Sequence, residues 1–409
     1  MLTDTAVVGH LGTPQLGGLA VAGTLLTTGL WVFNFLAYGT TAAVARSIGA
    51  GDERAAAHHA VQALWMSLAL GVTLTVAGEV SAPGLVGLMG ASAVVRPNAL
   101  TYLRIALLGA PSILLGLVGV GYLRGLQDTA TPLRIALGAN VANLVLEVVL
   151  IFGLGFGLAA SAWATVAAQT GAAVLFARFI AGHVSGTGVS WRPDLAAQRS
   201  LARVGRDLFV RTGSLLAALG VATSVASRLG TAELGAHQIA FQLWSFLALV
   251  LDAVAIAAQA MIGRLLGAGR ADAARSAAAR MIEWGLVAGL GLGLVVGGLR
   301  APLVPLFTGD PAVRHLAAQV LWFVAALQPL NAIVFVLDGV LIGAGDLRFL
   351  SGATLGALAL FLPAALSVAA FHLPLPALWG ALTLLMVARL GAVTGRFAGD
   401  RWAITGPGR

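Results

Sequence analysis

Arg46-Ser47-Ile48-Gly49-Ala50-Gly51 closes one apolar stretch, and Arg264-Leu265-Leu266-Gly267-Ala268-Gly269 closes another, 218 residues later. The same shift carries Leu11-Gly12-Thr13 onto Leu229-Gly230-Thr231, and Leu16-Gly17 onto Leu234-Gly235. It also carries Arg96 onto Arg314, Pro111 onto Pro329, Gly125 onto Gly343 and Asp128 onto Asp346. A register that holds without gaps through loops and apolar runs alike marks a duplicated architecture.

The stretches between these markers are long and apolar. The 409-residue chain is 59% hydrophobic and 10% charged, with mean hydropathy +0.93. A soluble domain carries about 25% charged residues. Apolar runs of about 20 residues recur, each long enough to cross a bilayer. Period-2 alternation is absent, which favours helices over an outer-membrane barrel. The expected spans are 1–10, 16–45, 57–79, 98–124, 131–152 and 157–181, then 205–227, 236–263, 275–298, 315–342, 349–371 and 375–397.

The expected fold class is therefore an all-α polytopic membrane protein. It has twelve transmembrane helices in two six-helix lobes, arranged as a parallel internal repeat. Six is even, so both copies enter from the same side, and the axis relating them runs along the membrane normal. The lobes are 1–181 and 205–397, the polar segment 182–204 joins them, and 398–409 is a tail. Span 205–227, shifted back, begins before residue 1, so a truncated or misassigned start of the first helix is expected. The start lacks the basic region and cleavage site of a signal peptide.

Composition excludes several chemistries. The absence of cysteine removes disulfides, Fe–S clusters and thiolate metal sites. All 24 basic residues are Arg. Without lysine there is no standard Walker A site and no Schiff-base chemistry. No catalytic residue, metal site or resident cofactor is expected, so transport work draws on an ion gradient or on another subunit. The net charge of +8 lies at helix ends and not in one patch, which argues against nucleic acid. Nineteen arginines fall on the linker side; Arg96, Arg104, Arg228, Arg300 and Arg314 fall on the other. That bias places both termini in the cytoplasm of a multi-pass plasma (inner) membrane protein. The expected partners are small-molecule drugs or metabolites and membrane lipid, with the chain a monomer.

Acidic residues inside apolar spans cost about 2.5–3.5 kcal/mol each. The repeat ranks them. Asp4 maps onto Ala222 and Glu147 onto Ala365, so two carboxyls belong to the first copy alone. Asn143 lies one turn before Glu147 on the same face, and Thr165 sits mid-span in the next helix. Asp4, Asn143, Glu147 and Thr165 make an oxygen-rich set suited to a proton or a small hard cation; polar glue between helices is the plainer reading. Burial favours the neutral carboxyl, so H+ is preferred, with Na+ left open.

The second copy holds Asp252 and Asp338, which either line a cavity for cationic substrates or bond to neighbouring helices. Trp31, Tyr38 and Trp244 suit stacking on aromatic drugs, and packing explains them equally well. Equivalent helices of two repeats face each other at the pseudo-axis. A substrate cleft is accordingly expected through Trp31, Asn34, Tyr38, Gln242, Trp244, Asp252 and Asp338.

Asp4-Thr5-Ala6-Val7-Val8-Gly9-His10-Leu11-Gly12 resembles the multidrug and toxic compound extrusion family, in its DNA-damage-inducible F branch. Gly49-Ala50-Gly51-Asp52, Arg124-Gly125-Leu126-Gln127-Asp128-Thr129, Leu251–Gln259 and Leu337–Asp346 add to the resemblance. It implies twelve helices in two lobes, a central cleft, and drug efflux in exchange for H+ or Na+. The family's first-lobe cation site falls on Asp4, Asn143, Glu147 and Thr165. Glu147 departs from the Asp of many members. The alternative within the same superfamily is a flippase for lipid-linked precursors. Those proteins commonly carry a basic cavity, and the spans here show no arginine cluster, which favours the exporter.

Overall fold

Each apolar stretch forms a helix, and glycine decides where several of them touch. The computed structural model describes residues 2–406, with fourteen α-helices and no strand among them. In order they are α1 (Leu2–Gly9), α2 (Thr13–Trp31), α3 (Phe35–Gly49), α4 (Glu53–Leu88), α5 (Arg96–Leu108), α6 (Ala110–Gly125), α7 (Ala130–Val148) and α8 (Leu158–Val184). The second set is α9 (Leu195–Leu229), α10 (Thr231–Gly267), α11 (Ala271–Leu303), α12 (Pro311–Gly343), α13 (Leu347–Ala370) and α14 (Leu375–Ala398). Among the described residues ten spans are long and apolar enough to cross a membrane, and α5 with α6 makes an eleventh, bent by 48°. The short α1 precedes them.

The structure refines several expected spans. One 3-10 turn, Val32–Asn34, separates α2 from α3. The span expected at 98–124 bends at Gly109, just before Pro111, whose ring removes a backbone donor. A π-helical turn, Val149–Gly153, follows α7. The segment expected as a polar linker is partly helix, because α9 begins at Leu195 and not near 205.

Two units emerge from the packing. Unit 1 is Met1–Val44 with Asp52–Gly205; unit 2 is Ala45–Gly51 with Arg206–Arg409. Their internal contacts repeat as their sequences do. In unit 1, a Cβ on Gly121 would stand 2.5 Å from the Ala37 carbonyl oxygen, and one on Gly125 would stand 2.7 Å from the Val44 Cβ and 3.1 Å from the Thr41 carbonyl oxygen. In unit 2, a Cβ on Gly339 would stand 2.2 Å from the Ala255 carbonyl oxygen, and one on Gly343 would stand 2.4 Å from that of Gln259. Gly121, Gly125, Ala37 and Thr41 map by the 218-residue shift onto Gly339, Gly343, Ala255 and Gln259. Thus α6 lies on α3 as α12 lies on α10, through a small-xxx-small stripe that lets backbones touch. Gly71 on Pro111 and Gly289 on Pro329 repeat a second seam at the same shift. Within unit 2, Arg46 fastens the end of α3 by donating to the carbonyls of Ala344 at 2.8 Å and Gly406 at 2.7 Å.

Bulk added at these seams should separate the helices. Gly121→Val and Gly339→Val are each expected to cost about 1–3 kcal/mol by overpacking, read as a lowered Tm of the detergent-solubilised protein. Gly116→Val, on the same α6 but with nothing within 4 Å of its Cβ position, is the control and should leave the Tm unchanged. Equal Tm values for all three would refute the seam.

Candidate functional site

In unit 1 four helices bring polar side chains together inside apolar surroundings. Asn143 and Glu147 sit one turn apart near the end of α7, just before the π turn. α1 supplies Asp4, α8 supplies Thr165 and Ser161, and α5 supplies Tyr102. Asp4 is 4% exposed, Asn143 9% and Glu147 0%. Asn143 Nδ2 donates to Thr165 Oγ1 at 3.2 Å. Asp4, Asn143 and Thr165 line one cavity of about 190 Å³, together with Thr27, Tyr102 and Gln169.

Glu147 lies outside that lining. Its Oε1 accepts a hydrogen bond from Ser161 Oγ. Its Oε2 is buried with no hydrogen-bond partner among the described residues. Asp4 is near enough to act electrostatically on Glu147, and Tyr102 interacts with Asp4, Thr165, Glu147 and Ser161. Sequence reasoning missed Ser161 and Tyr102. A signal existed for Ser161, since it precedes Thr165 by one turn on the same face of α8. Tyr102 comes from a helix that neither spacing nor the repeat ties to α7.

The side chains expected to meet substrate are distributed as follows. In unit 1, Trp31 ends α2 and is 51% exposed, Asn34 closes the 3-10 turn, and Tyr38 is half-buried on α3. In unit 2, Gln242 is exposed and Asp252 half-buried, both on α10. Trp244 packs edge-on to Trp379 and against Phe241, and Phe241 stacks on the buried His237.

Asp338 differs from the expectation of a carboxylate facing a cationic substrate. It is 3% exposed, and its Oδ2 accepts from Arg389 Nη2 at 2.5 Å and from Arg211 Nη2. Its charge is thus taken up by two guanidiniums, which tie α9, α12 and α14. This also corrects the expectation that the spans hold no arginine cluster. The reason is helical register: α9 starts at Leu195, so Arg211 lies well inside the helix and not at its end. Among the described residues no three His, Asp or Glu side chains converge as a metal site would require.

The chain is similar to several known proteins. The MatE family model matches twice, over residues 1–149 and 218–366. Protein DETOXIFICATION 44, chloroplastic, of Arabidopsis thaliana is 32% identical over 362 residues, which is 85% of this chain and 69% of that protein. DNA damage-inducible protein F of Escherichia coli is 30% identical over 360 residues, 84% of this chain and 76% of that one. A crystal structure of a MATE protein in its bent conformation superposes with a TM-score of 0.87 at 23% identity, covering 98% of this chain and 90% of its own.

The Asp338 cluster yields a direct test. Asp338→Asn takes from the buried Arg389 guanidinium the carboxylate it is paired with, a loss of about 3–5 kcal/mol. The expected result is a sharp fall in folded, monodisperse protein and in Tm. A Tm equal to that of the parent would show that the ion pairs do not hold α9, α12 and α14 together.

Proposed function

The chain belongs to the multidrug and toxic compound extrusion family, and from that membership we propose that it is a secondary antiporter exporting amphipathic or cationic small molecules in exchange for H+. Members of the family are transporters and not enzymes, and ten long apolar helices make this a multi-pass membrane protein. The distribution of arginine supports an inner-membrane location with both termini cytoplasmic. The relative named for detoxification supports a small-molecule cargo over a lipid-linked precursor.

The observation that carries the reading is the enclosed Glu147 carboxyl, acted on by Asp4, which itself lines a cavity with Asn143, Thr165 and Tyr102. With a proton bound, the helices pack around a neutral centre. Without it, the remaining charge requires water or a cationic cargo nearby, and that difference is what a two-state switch needs. The membrane potential supplies about 2.3 kcal/mol per charge per 100 mV. Trp31, Asn34 and Tyr38 in unit 1, and Gln242 and Asp252 in unit 2, are the side chains proposed to meet the cargo.

The test is ethidium movement in proteoliposomes, with H+ and Na+ gradients imposed separately. Ethidium is expected to follow the H+ gradient. Asp4→Asn and Glu147→Gln should each abolish driven movement while the protein stays folded and binds the dye. Wild-type-like transport by both variants would refute the site. Transport that tracks Na+ at clamped pH would refute the choice of ion. Asp252→Asn should weaken export of ethidium; unchanged export of every cationic dye would remove Asp252 from the cargo path.

A further inference from the structure

The polar groups of unit 1 divide by what they touch. Asn143 and Thr165 bond to each other and face the cavity, as does Asp4. The Glu147 carboxyl lies outside that lining, and among the described residues its one hydrogen-bond partner is the Ser161 hydroxyl of α8. Ser161 is itself fully buried. A glutamate reaches farther than an aspartate by one methylene, about 1.5 Å, and that extra reach carries the carboxyl to Ser161. Asp4 from α1 and Tyr102 from α5 are ionisable groups that interact with it.

We propose that Ser161 is the positioning residue that makes the Glu147 site take a proton in preference to an alkali cation. The inference rests on the coupling role assigned to Glu147 and adds the means by which the ion is chosen. A hard cation needs a shell of several oxygen ligands. Among the described residues the one side-chain oxygen hydrogen-bonded to the Glu147 carboxyl is that of Ser161, while the Thr165 oxygen accepts from the Asn143 amide on the cavity side. A proton needs one lone pair. The hydroxyl also serves the empty state, because it donates to the carboxylate when the proton has left, where an unpartnered buried charge is costly. Hydrogen bonding to the charged form favours that form. Ser161 therefore permits release of the proton as well as excluding Na+.

The experiment measures H+-driven ethidium transport in proteoliposomes across external pH, with Glu147→Gln run in parallel. Ser161→Ala removes the donor to the carboxylate, so the carboxyl holds its proton more tightly. The pH of half-maximal transport should move to the alkaline side by about one unit, a tenfold change in proton affinity. Ser161→Thr keeps the hydroxyl and should restore the parent profile. Ser161→Cys, a weaker donor of similar size, should fall between. An unmoved profile in Ser161→Ala, with Glu147→Gln inactive, overturns the role of Ser161 and leaves the coupling role of Glu147 standing. Normal transport by Glu147→Gln overturns both. The double variant Glu147→Asp, Ser161→Ala draws the carboxyl back toward Asn143 and Thr165. It should respond to a Na+ gradient at clamped pH, and failure to do so overturns the selectivity.

Discussion

Backbone contact between helices is the constraint on which each unit depends. Lipid tails are as apolar as the helix faces, so no hydrophobic drive pulls one span onto another. Close packing must supply the attraction. Gly121 and Gly125 let α6 settle on α3, and Gly339 and Gly343 let α12 settle on α10. Gly71 lets α4 press on the backbone of Pro111, at the bend between α5 and α6. That bend aims α5, and α5 carries Tyr102 to the polar side chains of α7 and α8. The seams are remote from the carboxyls, yet they fix where the carboxyls' neighbours stand.

Within that frame the cost of burying polar groups decides their arrangement. Asn143 and Thr165 satisfy each other across α7 and α8. Glu147 finds a donor for one oxygen only. The π turn directly after α7 is the local device that accompanies this. An inserted residue of this kind recurs at functional sites because it redirects the chain beyond it without breaking the helix. Here it lies between Glu147 and the start of α8, the two sides of the buried hydrogen bond.

The fold was legible because its signals are periodic and local. Apolar runs, the 218-residue register and the Pro and Gly markers needed no knowledge of contacts. Asp4, Asn143, Glu147 and Thr165 stood out because a polar group in an apolar span is conspicuous. Ser161 was hidden for the opposite reason: a single hydroxyl among alanines is common in membrane helices, and only its partner across the turn gives it meaning. The Arg211–Asp338–Arg389 cluster was hidden by distance, since its members come from three helices more than fifty residues apart in sequence. Arginines counted as anchors by position alone proved to be the partners of Asp338, with Arg389 buried and Arg211 half-buried.

The two units share a scaffold and differ in what fills it. The positions 218 residues after Asp4, Tyr102, Asn143, Glu147 and Ser161 are Ala222, Val320, Phe361, Ala365 and Trp379. All five belong to one buried apolar cluster of unit 2. Of the site residues Thr165 keeps its type, as Thr383, and that hydroxyl bonds back to the Trp379 carbonyl within its own helix. Where unit 1 has a cavity edged with amides and hydroxyls, unit 2 therefore has two large rings and three small apolar side chains. The converse holds for charge: Asp338 and Arg389 correspond to Val120 and Gly171 in unit 1. Each unit thus buries its own polar centre at positions that are apolar in the other, while the glycine seams are common to both. Asp4 and Glu147 therefore have no carboxyl counterpart at the equivalent positions of unit 2, Ala222 and Ala365.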